Sequence, residues 1–351
     1  MKYSIGYQLA ERDEEPFFNL IAEHAAAIAE LYFAPPGMRS GRSPVGGGAG
    51  DAERMREEIE AFRSEGVKLN LLFNANCYAG GAMSEELKRT VLTTVEDFAP
   101  HSVTTTSLFV AHVLQGSGIE VRASVNMRIG TIKAMEYQSA LFDGYYVRRE
   151  FNRDIQHLRM LRRWADANGK QLYLLANSGC LYDCSGQTFH DNLVAHEPEV
   201  AQQDNDPSFV PYTCWRFLQE RSNWPAILQA TWIRPEDVRH YEGLVPHMKL
   251  ATRLHERPQT VLRAYAEERY SGNLPELLEP GFSPLLAPYV IDAARLPDDW
   301  FAKTTTCGHH CHTCDYCEKA LQAALRNLFE SNIKSASQKF CPERSHSPVR
   351  C

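Results

Sequence analysis

The sequence lacks several features that would define its class at once. No uninterrupted apolar segment approaches the ~18 residues of a membrane-spanning helix, and acidic residues follow the start MKYSIGYQLAERDEE before any long apolar stretch. We therefore expect a cytoplasmic protein with no membrane association. The net charge is −7 and the pI is about 6.0, so there is no basic excess of the kind that coats nucleic acid non-specifically.

What the first 255 residues do contain is an alternation of β-rich runs and amphipathic stretches. The predicted strands are 3–9, 29–35, 68–74, around 103–109, 120–126, 144–150, 171–177, and a final pair at 229–234 and 247–252. Between them lie helical patterns, several of which end in glycine, as at Gly66, Gly118 and Gly169, where a helix favours positive φ. Roughly eight such repeats predict a parallel sheet, and a TIM-like (β/α)8 barrel fits best; a doubly wound open sheet is the alternative.

Phosphate-binding signatures are also absent. No GxGxxG follows the first predicted strand, which argues against a dinucleotide-binding fold. The stretch SGRSPVGGGAG at 40–50 lacks the Gly-Lys-Ser/Thr of a phosphate loop. We interpret it as a mobile loop over the barrel mouth.

The alternation of strand and helix patterns ends after about residue 255, and three regions are predicted. Residues 1–265 form the barrel, and residues 266–330 form an extension with a cysteine-rich motif and a helix, EKALQAALRNLFE. Residues 331–351 are polar and are predicted to be a disordered tail. Cys341 and Cys351 lie in this tail and receive no role.

The other eight of the ten cysteines favour a metal site. A reducing compartment makes clustered thiols more typical of metal or redox sites than of disulfides. Soft thiolates suit an iron–sulfur cluster or zinc. The candidate ligands are Cys180, Cys184 and Cys214 near the barrel mouth, and Cys307, Cys311, Cys314 and Cys317 in CGHHCHTCDYC.

Two interpretations of these thiols are compatible. Cys180, Cys184 and Cys214, with one further thiolate, would hold a 4Fe-4S cluster. The motif at 307–317 would close a zinc site or hold a second 4Fe-4S cluster, with His309, His310 and His312 as alternative ligands. Its CxxxCxxC spacing is that of radical S-adenosylmethionine enzymes, but it follows the whole repeat region rather than the first strand.

Charged residues at the predicted strand ends define a candidate substrate site, because barrel enzymes build their sites there. We expect a polar, cationic mouth that suits an anionic substrate. The alternative is that these groups form salt bridges closing the barrel rim. The candidate substrate-binding residues are Arg149, Glu150, Arg234, Lys249 and Arg253.

The stretch from VNMRIG at 125 to CLYDC at 184 resembles the collagenase-like peptidase family U-32. It has a strand ending in Asn126, a strand ending in Arg149–Glu150, and a strand leading into Cys180 and Cys184. IRPEDV at 233–238 and HMKLATR at 247–253 are similar to later strands of that family, and MKYSIGYQL to the start of its oxygen-independent ubiquinone-hydroxylation subgroup. The resemblance covers about residues 1–265.

The resemblance implies a TIM-like barrel with a 4Fe-4S cluster on four cysteines. It also implies hydroxylation without O2 of a ubiquinone precursor or of RNA bases, whereas the family name implies a protease. This chain departs from the pattern: no fourth cysteine lies between Cys214 and Cys307, so Cys77 or the C-terminal thiolates would complete the cluster. The cysteine-rich extension is a further departure, and no substrate is carried over.

Three hypotheses follow. The first is an iron–sulfur TIM-barrel enzyme of the U-32 type with redox or hydroxylation chemistry on a small molecule or RNA, with or without a related partner protein. The second is a peptidase with a structural zinc knuckle at 307–317. The third is a metal-stabilised, non-enzymatic scaffold that binds protein or RNA.

Overall fold

The structure is a computed structural model that describes residues 1–9, 16–41 and 51–329. Most of the predicted glycine-rich loop, residues 42–50, lies outside the described residues. The predicted tail, with Cys341 and Cys351, lies outside them as well. The predictions for these two segments therefore stay predictions.

Eight parallel strands close into a barrel, in which each strand pairs with the next along the chain and the eighth pairs with the first. The closed ring confirms the TIM-like (β/α)8 barrel, because an open doubly wound sheet would leave two unpaired edges. The strands are β1 (Tyr3–Gly6), β2 (Ile28–Phe33), β3 (Lys68–Phe73), β4 (Ser102–Thr105), β5 (Glu120–Ala123), β6 (Gly144–Tyr146), β7 (Gln171–Leu175) and β8 (Met248–Lys249).

The predicted strand at 229–234 was wrong. Gln229 ends a helix, and the residues after it join no strand of the barrel, because β8 pairs with β7 and β1 without them. The apolar pattern of this segment has another cause: Trp232 is buried against Trp300, with the ring centroids 5.5 Å apart. A short buried run that packs on another element has the same composition as a buried strand.

Helices alternate with the strands largely where the amphipathic patterns predicted them. Gly66 and Gly169 have φ values of 80° and 64° and directly follow helix ends, which confirms two of the predicted ends. Gly118 also has a φ of 80°, but its helix already ends at Val113, so that predicted end was wrong. The helices of the barrel region are α1 (Phe17–Ile21), α2 (Asp51–Ser64), α3 (Glu85–Phe98), α4 (Leu108–Val113), α5 (Ile132–Tyr137), α6 (Ile155–Ala167), α7 (Gln187–Ala195), α8 (Glu197–Val200), α9 (Thr213–Leu218), α10 (Pro225–Gln229) and α11 (Pro258–Ala266).

The barrel interior carries a buried charge network. Glu30 of β2 is 1% exposed and accepts from Ser4 Oγ at 2.7 Å and from Arg122 Nη1 at 2.7 and 2.9 Å. Burial alone would raise the pKa of Glu30, but attraction to Arg122 and His247 outweighs it and holds this pKa well below its usual range. The network closes the barrel beneath its mouth with side chains from three strands and the segment before β8.

The extension packs onto the barrel and shares its buried apolar core. It contains α12 (Ser283–Leu286), α13 (Trp300–Thr304) and α14 (Tyr316–Ala324), and an antiparallel ribbon of β9 (Tyr289–Ile291) and β10 (Leu325–Asn327). The predicted helix over 318–330 is thus too long, because the chain leaves the helix after Ala324 to pair with β9. Among the described residues, no helix is long and apolar enough to cross a membrane.

Candidate active site at the barrel mouth

A polar cleft opens at the carboxyl ends of the strands. Strand ends converge there, so residues distant in the sequence meet around one space. Three of the five predicted substrate-binding residues line it, together with one predicted metal ligand. The lining residues used below are Tyr32, Arg149, Ser178, Cys180, His190, Asp191, Lys249, Arg253 and Glu279.

Arg149 joins the cationic wall of the cleft to the nearest thiol. Its side chain is buried, and Nη1 donates to Cys180 Sγ at 2.9 Å and to Ser178 Oγ at 3.3 Å. Burial lowers the pKa of Arg149, but attraction to Cys180, Glu150 and other acidic neighbours outweighs it, so its pKa is raised. The guanidinium therefore remains a cation that touches a thiol.

Lys249, the last residue of β8, places its amine among aromatic rings. Its Nζ atom lies 3.7 Å from the ring centroid of Tyr32 and 5.3 Å from that of Tyr146. Burial lowers the pKa of Lys249 to about 7, and repulsion from Arg253 and Arg122 acts in the same direction. A cation over ring faces is stabilised, but here the loss of water is the larger effect.

Arg253 follows β8 and lies against the end of β1. Its side chain is buried and donates from Nη1 to Ser40 Oγ at 3.1 Å. A Cβ on Gly6 would lie 2.7 Å from the backbone nitrogen of Arg253, so glycine is required for this close approach. The start of the loop after β2 thereby reaches the cleft through Ser40 and Gly41, whose nitrogen donates to Asn74 Oδ1 at 3.0 Å.

Glu150 and Arg234 are the two predicted substrate-binding residues that the structure does not place in the cleft lining. Glu150 is buried and accepts from Arg148 Nε at 3.0 Å. Arg234 donates to Asp237 Oδ1 at 3.0 Å and lies 3.6 Å from Glu236. Both residues form ion pairs, which agrees with the alternative prediction that charged residues at the strand ends form salt bridges at the barrel rim.

The thiols of Cys180, Cys184 and Cys214 interact electrostatically with one another. Burial raises the pKa of Cys214 to about 11, and Cys180 and Cys184 add to this shift. Burial also raises the pKa of Cys184, with Cys180 acting in the same direction and Arg149 against it. These three residues, predicted as one ligand group, therefore influence one another electrostatically, and of the three it is Cys180 that lines the cleft.

The thiols of Cys307, Cys311, Cys314 and Cys317 form a second group. Burial raises the pKa of Cys317 to about 11, and the other three thiols act in the same direction. Arg153 opposes this shift; its own guanidinium lies 4.5 Å from the ring centroid of Trp232 and 5.0 Å from that of Trp300. Each thiol group thus lies near a buried arginine.

An aromatic stack connects the two thiol groups. Tyr182, between Cys180 and Cys184, stacks on His309 with the ring centroids 3.9 Å apart. Asp183 in the same loop pairs with Arg148. The extension therefore contacts the loop that carries two of the predicted ligands.

The segment around Glu279 is a part of the mouth that the sequence did not predict. Its backbone bridges the end of β7: the Glu279 nitrogen donates to Asn177 O at 3.0 Å, and the Gly179 nitrogen donates to Glu279 O at 2.9 Å. A Cβ on Gly179 would overlap the carbonyl oxygen of Pro280. Tyr32 and Ser178 were also missed, although both follow the strand-end rule.

The donor chemistry at both thiol groups fits a soft metal centre, because thiolates are the ligands of iron–sulfur clusters and of structural zinc. Within the described ranges, however, no group of three or more His, Cys, Asp and Glu side chains that could hold a metal ion is assembled as the side chains stand. Cys77, a candidate fourth ligand, accepts at Sγ from the Ala79 nitrogen at 3.4 Å.

The fold and the cleft define a closed (β/α)8 barrel whose mouth is lined by charged side chains of both signs and by the thiol of Cys180. No protein-family model matches the chain. A protein of Methanocaldococcus jannaschii named uncharacterized protease MJ1657 is 24% identical over 281 residues, which cover 78% of this chain and 82% of that protein. The structure of the U32 peptidase Mk0906 matches with a TM-score of 0.51 at 13% identity, over 71% of this chain and 92% of that one, and so shows a shared fold. The chain is therefore similar in sequence to a protein with a protease name and similar in fold to a U32 peptidase.

Proposed function

We propose that this chain is an enzyme of the U-32 type that binds an anionic substrate at the barrel mouth beside a 4Fe-4S cluster. The observation that supports the proposal is the hydrogen bond from the buried Arg149 to Cys180 Sγ at the edge of the barrel-mouth cleft. A cluster on three or four thiolates has a net negative charge, and nearby cations stabilise it. Arg149 is such a cation, because it donates directly to Cys180 Sγ.

Cys180, Cys184 and Cys214 would hold the cluster, and Cys77 or a thiolate of the extension would complete the ligand set. When bound, the cluster supplies one-electron transfer at the mouth. Arg149 and Arg253 would orient the anionic group of the substrate, and Lys249 would meet it at the floor of the cleft. We infer redox chemistry, of which hydroxylation without O2 is one form.

The test is metal analysis of protein that was purified without oxygen. We expect iron and sulfide in equal amounts and a Mössbauer spectrum typical of 4Fe-4S. Cys180→Ala should lose this iron, whereas Cys341→Ala, at a position with no assigned role, should retain it. Absence of iron and sulfide from the wild type, or full iron in Cys180→Ala, would overturn the proposal.

The same preparations separate the second thiol group from the first. If the motif at 307–317 holds zinc, Cys311→Ala loses zinc and keeps the iron. If the motif holds a second cluster, Cys311→Ala loses about half of the iron. In that case neither the wild type nor the variant contains zinc. Chelation of zinc should in the first case expose the extension to proteolysis, because such sites stabilise folding directly.

A peptidase is the second candidate, because the matched proteins have protease names. Cys180 and His190 both line the cleft, and a thiol beside an imidazole is a known pairing for nucleophilic catalysis. This candidate predicts cleavage of a denatured protein substrate in air that is lost in Cys180→Ala and kept in Cys341→Ala. Equal cleavage by both variants would exclude it.

A further inference from the structure

Lys249 is positioned to do more than bind an anion. Lys249 is half-buried as a residue and lines the cleft, so its side chain borders the space in which a substrate would bind. Tyr32 and Tyr146 flank the Nζ atom with ring faces rather than with carboxylates. Within the described part of the chain, no acidic oxygen lies within ion-pair distance of this amine. Because it lines the cleft and is poorly solvated, this lysine differs from the surface lysines.

Three charged groups act on the amine of Lys249. Arg253 lies after β8, Arg122 on β5 and Glu30 on β2; the two arginines repel a charged amine and Glu30 attracts it. Burial and the two arginines prevail, which lowers the pKa of Lys249 to about 7. A large fraction of the amine is therefore neutral at neutral pH. Lysines that are desolvated or beside another cation are the ones that act as nucleophiles in proteins.

We propose that Lys249 forms an imine with a small anionic aldehyde or ketone bound in the cleft. The carboxylate or phosphate of such a compound would face Arg149 and Arg253, which line the same cleft. Guanidinium groups are suited to such oxyanions. This inference rests on the proposed anion-binding cleft but does not depend on the iron–sulfur cluster.

The step balances without an oxidant or reductant. The lone pair of Nζ attacks the carbonyl carbon, the C–N bond forms, and the carbonyl π electrons move to oxygen, which takes a proton. The nitrogen loses a proton, and the hydroxyl group leaves as water after protonation from solvent in the open cleft. The product is a C=N bond between Lys249 and the substrate, plus one water.

The test is chemical trapping in the full-length protein. Pyruvate, glyoxylate and 2-oxoglutarate are each added with sodium borohydride, which delivers hydride to an imine and leaves a stable secondary amine. Intact-mass and peptide mass spectrometry then locate the adduct. We expect one adduct, on Lys249, whose yield rises through about pH 7 as the amine loses its proton. Acetone, a ketone without a negative charge, should trap much less.

Matched variants separate covalent chemistry from charge. Lys249→Arg keeps a cation and Lys249→Met removes it; both should abolish trapping, whereas Lys133→Met, at an exposed lysine paired with Glu136, should leave it unchanged. Labelling spread evenly over surface lysines, or no adduct with any of the three acids, overturns the inference. A folding defect in a variant does not affect this decision, because the wild-type adduct map stands alone. Iron content, measured on the same wild-type batch, reports on the cluster separately.

Discussion

The ring of Tyr182 stacks on the imidazole of His309 with an interplanar angle of 5°. Tyr182 lies between two thiols of the barrel group, and His309 lies between two thiols of the extension. Burial lowers the pKa of His309, and Arg153 acts in the same direction, so the neutral ring is favoured. The stack therefore places the two cysteine-bearing segments in direct contact.

The first prediction concerns this stack. Aromatic pairs contribute about 0.5–1.5 kcal/mol beyond buried area, and Tyr182 is partly exposed, so we expect the low end of this range. Tyr182→Ala and His309→Ala should each reduce the free energy of unfolding, and the double variant should lose less than their sum. Urea unfolding of the four proteins measures the coupling. Strictly additive losses would show that the stack contributes nothing.

The second prediction concerns the contact between the extension and the end of β7. Gly179→Ala places a methyl group against the carbonyl oxygen of Pro280, so one of the two segments must move. We expect a loss of about 1–3 kcal/mol in the free energy of unfolding. Gly80→Ala is the matched control, because nothing lies within 4 Å of its new methyl group.

Denaturant unfolding compares the two glycine variants. The loss in Gly179→Ala should be accompanied by faster proteolysis between the barrel and α12. Equal stability of the two variants would mean that the Glu279 segment is not held against β7 in solution.

The rule that sites lie at strand ends was enough to predict that Arg149, Lys249 and Arg253 lie at the barrel mouth. The reason is that the barrel geometry brings the carboxyl end of every strand to one face. The same rule failed for Arg234, since the segment before it packs as apolar core instead of pairing as a strand. The local pattern of apolar residues is the same for a buried strand and for an unpaired segment that packs in the core, so the sequence cannot distinguish them.

Glu279 could not be predicted for a different reason. It reaches the mouth because the extension folds back onto β7, and no local signal in LPELLEPGFSP specifies that contact. The two cysteine groups, in contrast, were separable from spacing alone. What the sequence could not show is that Tyr182 and His309 bring them into contact.

The third prediction concerns Glu30 inside the barrel. Removing one partner of a buried ion pair typically costs about 3–5 kcal/mol, so Glu30→Gln should destabilise strongly by leaving Arg122 without its main partner. Glu136→Gln, which breaks an exposed pair with Lys133, should cost about 0–1 kcal/mol. Urea unfolding at pH 7 distinguishes the two.

The pH dependence of the same pair has a defined sign. The pKa of Glu30 is lower in the folded state than the ~4.3 of an unfolded chain. Its contribution is therefore fully present above about pH 4.3 and is lost progressively as the pH falls below that value toward the folded pKa. The wild type should lose more stability than Glu30→Gln between pH 5 and pH 3. Parallel losses would contradict the assigned ion pair.

The fourth prediction concerns Lys249, whose effect on stability is expected at neutral to alkaline pH rather than at acidic pH. Its folded pKa of about 7 lies below that of a free lysine, ~10.4, so the unfolded chain binds more protons between these values. Stability should therefore rise from pH 7 to pH 10 in the wild type, by an amount on the order of a few kcal/mol. Lys249→Met removes the buried amine, so the variant should be more stable than the wild type at pH 7 and should lack this rise. Lys133→Met controls for the loss of one positive charge. If Lys249→Met and wild type show the same slope, the amine titrates as an ordinary exposed lysine, and its role as a nucleophile at neutral pH loses its physical basis.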